Sequence, residues 1–70
     1  SHVGAQFNLG VCYANGTGVA KDERRAVDWY AKAAEQGDAK AQFELGVCYG
    51  NGVGVAKDEQ RAFEWCGKAA

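Results

Sequence analysis

Ala5, Leu9, Cys12 and Tyr13 recur at i, i+4, i+7 and i+8, the spacing that lines up side chains on one helical face. Phe7, Val11 and Ala14 draw a second stripe, so this helix is apolar on two sides, as a helix packed between neighbours should be. Gly10 interrupts it at a cost of about 1 kcal/mol relative to alanine, which the close approach of a partner helix would justify. Asn15-Gly16 closes the helix, because glycine and, less readily, asparagine accept left-handed backbone. The loop Thr17-Gly18-Val19-Ala20-Lys21 leads to Asp22, placed as the N-cap of a second helix. That helix carries Ala26, Trp29, Tyr30 and Ala33 at i, i+3, i+4 and i+7, with Arg25, Asp28, Lys32 and Glu35 on its other side. Gly37 ends it and Asp38 caps the next. Asp28 with Lys32, and Glu64 with Lys68, are acid-first i, i+4 pairs, each worth about 0.2–0.5 kcal/mol.

The pattern then repeats. Ala5 to Ala34 aligns without a gap on Ala41 to Ala70, 36 residues on, and 22 of the 30 positions are identical. A period of this length marks a solenoid of stacked supersecondary units, each burying its apolar surface against its neighbours. The chain has no proline and no alternating β-branched run, so strands are not expected. The predicted fold is all-α: four helices in two antiparallel hairpins, repeat one at residues 1–37 and repeat two at 38–70, forming one α/α solenoid fragment. A core of this size supplies only about 3–5 kcal/mol, and arrays generally want roughly three units. The abrupt ends therefore read as an excerpt of a longer array, or as a unit completed by self-association, with Ser1-His2 a cloning remnant.

Charge removes several function classes. The 8 basic and 9 acidic residues are interspersed, with a net charge of −1, so neither nucleic acid nor an anionic membrane surface is an expected partner. The apolar runs are too short to span a bilayer. Cys12, Cys48 and Cys66 form no C-x-x-C pair, and the one histidine is His2, so no metal site and no cofactor are expected. Cys12 and Cys48 are repeat equivalents, expected at about the 8–10 Å of packed helices, beyond the roughly 7 Å that a disulfide spans between Cα atoms. Unpaired thiols favour a reducing compartment, the cytoplasm, without excluding export of a parent protein.

Catalytic chemistry is equally poorly supplied. Gly16-x-Gly18 and Gly52-x-Gly54 follow helices and lack the third glycine of a phosphate-binding fingerprint, so they read as inter-helix turns. Ser1 and Thr17 are the aliphatic hydroxyls, and neither is beside a placed base. Asp22 and Asp58 recur at a capping position, which accounts for them. Asn15-Gly16-Thr17 fits the glycosylation pattern, but Asn51 in the second copy does not, and a turn asparagine is the better reading. Trp29, Tyr30 and Trp65 read as core by their spacing rather than as ligand-stacking rings. A thiol-based redox or metal role for the three cysteines ranks below the alternatives.

The residues Ala5, Leu9-Gly10, Tyr13, Gly16-Thr17-Gly18-Val19, Asp22, Ala26, Trp29 and Lys32-Ala33-Ala34 resemble the Sel-one-like repeat, a branch of the tetratricopeptide superfamily. The second copy matches with Ala41, Leu45-Gly46, Tyr49, Gly52-Val53-Gly54-Val55, Asp58, Ala62, Trp65 and Lys68-Ala69-Ala70. The resemblance implies a right-handed α/α superhelix used as a scaffold for protein–protein contacts. A secreted branch of that family links the helices of each repeat by a disulfide, with cysteines that would fall near Gln6 and Ala34 and near Gln42 and Ala70. None is cysteine here. Cys66 stands where the first copy has Tyr30, a loss of aromatic bulk expected to loosen the last helix pair.

In tetratricopeptide-like arrays the first helices line the concave side. The resemblance therefore implies a binding face at Phe7, Asn8, Val11, Phe43, Glu44 and Val47, where apolar residues anchor a peptide or partner protein and Asn8 or Glu44 sets polarity. The competing reading is that Phe7 and Phe43 merely pack between repeats. A second function class is architectural: near-identical repeats expose similar surfaces at their ends and can stack head to tail into a longer solenoid. No enzyme is expected.

Overall fold

A computed structural model describes residues 2–70; Ser1, the first residue of the expected cloning remnant, lies outside the described residues. Four helices follow one another, α1 (Val3–Asn15), α2 (Glu23–Glu35), α3 (Ala39–Asn51) and α4 (Glu59–Ala69), and no strand occurs among the described residues. The helices pair as two hairpins, α1 with α2 and α3 with α4, and α2 packs on α3 to join them.

Local chemistry stops and starts each helix where the sequence placed the signals. Gly16 and Gly52 take left-handed backbone at φ 72° and 70° and turn their N–H groups back to the Cys12 and Cys48 carbonyls. A side chain there would meet the Cβ penalty that glycine escapes. The Asp22 carboxylate accepts from the Arg25 N–H at 3.1 Å, and Asp58 from the Arg61 N–H at 3.0 Å, each a helix N-cap. The backbone N–H groups of Asp22 and Asp58 donate to the Tyr13 and Tyr49 carbonyls at 2.9 Å, which clamps each loop to the end of the preceding helix. Asp38 caps α3 by accepting from the Lys40 N–H, and the Gln42 side chain donates to the Ala34 carbonyl at 3.1 Å, stitching the second hairpin to the first.

The expected Asp28–Lys32 and Glu64–Lys68 pairs are replaced by other contacts. Each ammonium lies over an indole, Lys32 4.6 Å from the Trp29 ring centre and Lys68 5.6 Å from that of Trp65. An i, i+3 indole offers a desolvating face that competes with a hydrated carboxylate. The carboxylates that do pair are the caps, Asp22 with Arg25 and Asp58 with Arg61, both at 3.4 Å, and the first-turn Glu23 with Lys21 and Glu59 with Lys57, both at 3.8 Å. Trp29 and Trp65, expected as core, are half-buried; Tyr30 alone of the three is core.

The buried apolar side chains are Ala26, Val27, Tyr30, Ala33 and Ala34 of α2, and Ala41, Leu45 and Cys48 of α3. The core thus sits at the junction between repeats. The two-sided burial expected of a first helix is met by neither α1 nor α3. On α3 one stripe is core, with Leu45 1% exposed, but Phe43 of the other stripe is 54% exposed; on α1 Leu9, the repeat equivalent of Leu45, is 39% exposed. Val27 and Phe63 differ in the same way, at 5% and 81%. Position in the array decides burial, because only the middle helices have neighbours on both sides.

Two tests follow from this core. Leu45→Ala empties a buried site and is expected to cost about 2–5 kcal/mol, whereas Leu9→Ala removes a side chain already part-hydrated and is expected to cost under about 1 kcal/mol. Urea unfolding of both variants checks the difference; equal losses would mean that α1 is covered as fully as α3. The second test uses Tyr30, whose phenol is pushed up to about 12 by burial first, then by Glu44 and Cys48. The folded chain therefore holds this proton more tightly than the unfolded one, where tyrosine ionises near pH 10. That contribution is complete below pH 10 and is lost as pH rises toward 12. The melting temperature of the wild type should fall more steeply across this window than that of Tyr30→Phe. Parallel curves would show that Tyr30 ionises as freely in the fold as out of it.

Candidate functional site

The expected binding residues occupy matching turns of the two first helices, Phe7, Asn8 and Val11 on α1, and Phe43, Glu44 and Val47 on α3. Their surroundings differ. Phe7 is half-buried and its ring centre lies 5.7 Å from that of Tyr30 at an angle of 41°, an edge-tilted contact typical of aromatic pairs. Val11 also packs against the buried cluster. Phe7 thus packs against α2 of its own repeat. Phe43 is 54% exposed. Asn8 is exposed, and Glu44 and Val47 are half-buried.

Phe7, Phe43 and Glu44 come together along one apolar-lined cleft of about 620 Å³, bordered on its other side by Cys66 and Ala69 of α4 and by Ala70 just after it, and completed by Ala39 and Lys40. Asn8, Val11 and Val47 do not line it. The contribution of α4 was missed by reasoning from the first helices alone. Its signal was present in the alignment, where Cys66 replaces Tyr30, but the replacement reads as lost packing until the helices are set side by side.

A larger cleft, of about 790 Å³, lies between the start of α2 and the loop that joins α3 to α4, and is lined by Arg24, Asp28, Tyr49, Gly54 and Arg61 among others. Its charge is largely answered internally: Arg61 pairs with Asp58 and lies over the Tyr49 ring at 5.7 Å.

The thiols do not form a reactive group. Cys12, Cys48 and Cys66 are all free. Burial, then Glu44 and Glu23, push the Cys48 thiol up from its ordinary range, away from the thiolate that a nucleophile or a metal ligand needs. Among the described residues no three histidine, cysteine or carboxylate side chains are grouped as metal ligands. Among the described residues no helix is long and apolar enough to cross a membrane.

Comparison with known proteins agrees with this architecture. The Sel1 repeat family model matches twice, over residues 3–38 and 39–70. A Sel1 repeat protein from Oxalobacter formigenes superposes with a TM-score of 0.95 at 47% identity, covering 97% of this chain and 28% of that one. The protein c5321, described as a protective antigen present in uropathogenic Escherichia coli strains and displaying an SLR fold, gives 0.96 at 43% identity, covering 97% of this chain and 15% of that one. Cysteine rich protein B of Helicobacter pylori gives 0.92 at 36% identity, covering 96% and 50%. This chain thus spans half or less of the length of these relatives. Among curated proteins no match was found. Two repeat matches over residues 3–70, on four helices in two stacked hairpins, establish that the chain belongs to the Sel1 repeat family, a tetratricopeptide-like family of helical scaffolds.

Proposed function

We propose that this chain is a non-catalytic scaffold that holds a peptide or partner protein on the face formed by its first helices, α1 and α3. The observation that carries this reading is Phe43: a phenylalanine 54% exposed beside an apolar-lined cleft, on the helix face shared with Phe7. A side chain of this kind supplies a large anchor with few rotatable bonds, the type that dominates interface energetics. Glu44, half-buried beside it, would select against an acidic partner at the same point. The residues that could carry catalysis are otherwise engaged: Asp22 and Asp58 cap helices, and the Cys48 thiol is buried.

A second reading, head-to-tail stacking into a longer solenoid, is favoured by a separate observation. Phe63 is 81% exposed where Val27 is 5% exposed, and Leu9 is 39% exposed where Leu45 is 1% exposed. These are the two outer surfaces that repeat the buried α2–α3 junction, so a second copy can reproduce that junction. The contact is heterologous and does not close.

Each reading has its own measurement. Peptides selected from a displayed random library should bind the wild type and lose at least about tenfold in affinity to Phe43→Ala and to Glu44→Lys. Peptides indifferent to both changes would place binding elsewhere. In sedimentation velocity, stacking predicts a sedimentation coefficient that rises with wild-type concentration and stays flat for Phe63→Asp. A wild type monomeric across the whole series excludes stacking.

A further inference from the structure

The two repeats are built around the same notch, and only the first fills it. In repeat one the Tyr30 ring edge lies over Gly10; a Cβ built at Gly10 would sit 2.7 Å from both Cδ1 and Cε1 of that ring. The missing glycine side chain is the space that the ring occupies, and the ring goes on to meet Phe7. Repeat two keeps both walls, Gly46 and Phe43, but Cys66 stands at the ring position. Its Sγ reaches the place above Gly46, 2.5 Å from a Cβ built there, and ends. The rest of a phenol ring is absent. The cleft beside Phe43 opens at this point, lined by Phe43, Cys66 and Ala69, with Lys40 and Glu44 among its polar groups. At about 620 Å³ it falls in the size range of sites that take small organic groups.

We propose that this vacant ring position is a binding site for an aromatic side chain of tyrosine type, contributed by a partner peptide. The proposal rests on the first-helix-face reading above and names the group that the face selects. The chain's own first repeat identifies the occupant, since a tyrosine ring against a phenylalanine and over a glycine is what the matching notch holds. Phe7 of repeat one borders the far side of the cleft, but its ring is already engaged with Tyr30 at 5.7 Å; Phe63 and Trp65 are not among the walls. A stacked second copy would not supply one either. By repeat equivalence it would bring Asn8 and Cys12 to this point, as Glu44 and Cys48 face Tyr30 across the existing junction.

The probe is p-cresol, the tyrosine side-chain analogue, followed by backbone amide shifts of the labelled chain, with 4-methylcyclohexanol as the non-aromatic control. Saturable shifts are expected at the cleft walls Phe43, Cys66 and Ala69, and at Phe7 where it borders the same cleft, with none at the filled equivalents Gly10, Tyr30 and Ala33. Cys66→Tyr copies the first repeat, and Gly46 leaves room for the ring, so this variant should melt at a higher temperature and bind p-cresol at least about tenfold more weakly. Cys66→Ala keeps the notch open and should keep binding, which guards against a misfolded first variant. Absence of saturation in the wild type, equal binding by Cys66→Tyr with its fold intact, or equal preference for the saturated ring would overturn the assignment. So would shifts that vanish as protein concentration rises, since a second copy would then be the occupant. The two levels fail separately. Selected peptides that respond to Phe43→Ala and Glu44→Lys but ignore Cys66→Tyr remove the ring site alone. Saturable p-cresol shifts alongside peptides that ignore the face remove the partner reading alone.

Discussion

The packing of α2 against α3 is the constraint from which the rest of the structure follows. Every buried apolar side chain among the described residues lies on one of these two helices, and the large ones, Val27, Tyr30 and Leu45, are each worth about 1.5–3 kcal/mol in transfer from water. Four alanines, Ala26, Ala33, Ala34 and Ala41, together with Cys48, complete that cluster. Small residues bring helix axes toward the short end of the packing range, so a few larger side chains suffice to fill the gap. Within each hairpin the approach is set by glycine, at Gly10 under Tyr30 and at Gly46 under Cys66. Between hairpins it is set at Gly54, where any Cβ would collide with the Glu23 carbonyl and with Val27, so the second loop is pressed against the start of α2.

A junction that repeats by translation leaves two unpartnered copies of itself at the ends. Leu9 on α1 and Phe63 on α4 occupy the places of Leu45 and Val27 but lack the neighbouring repeat that covers those residues. This explains why helices at equivalent places in the two repeats differ so much in burial, with several core residues on α2 and none on α4. The stability of such an array is a sum of unit and interface terms. One interface between two units is the least that such a sum can contain, and losses at Leu45 therefore weigh more heavily than losses at Leu9.

What could be read from the sequence was what local chemistry decides. Helix ends at Gly16 and Gly52, caps at Asp22, Asp38 and Asp58, and the close approach at Gly10 each depend on a few neighbouring residues, and each is found where the sequence put it. Burial is not local, and there the sequence was ambiguous: equal letters at positions 9 and 45 hide unequal environments. The lysines mark another limit. Lys32 can reach either Asp28 or Trp29 on the same helix surface, and periodicity allows both; the ring face takes it. For the candidate face, the alignment named Phe43 and Glu44. Lys40, Cys66 and Ala69 joined them only when α4 was laid against α3.

The replacement of Tyr30 by cysteine at position 66 links stability to recognition. In the first hairpin the ring is both a core element and a lid over Phe7, and a surface closed by its own side chains has little left to offer a partner. In the second hairpin the missing ring costs contact within the chain and exposes Phe43 in the same step. The Phe43 ring, without the tyrosine that its equivalent Phe7 meets, faces an open cleft of about 620 Å³. A ligand ring that enters this cleft removes apolar surface from water at the wall that Tyr30 covers in the first repeat. The less complete repeat is for that reason the one with something to gain from binding, and the complete one serves as its internal reference.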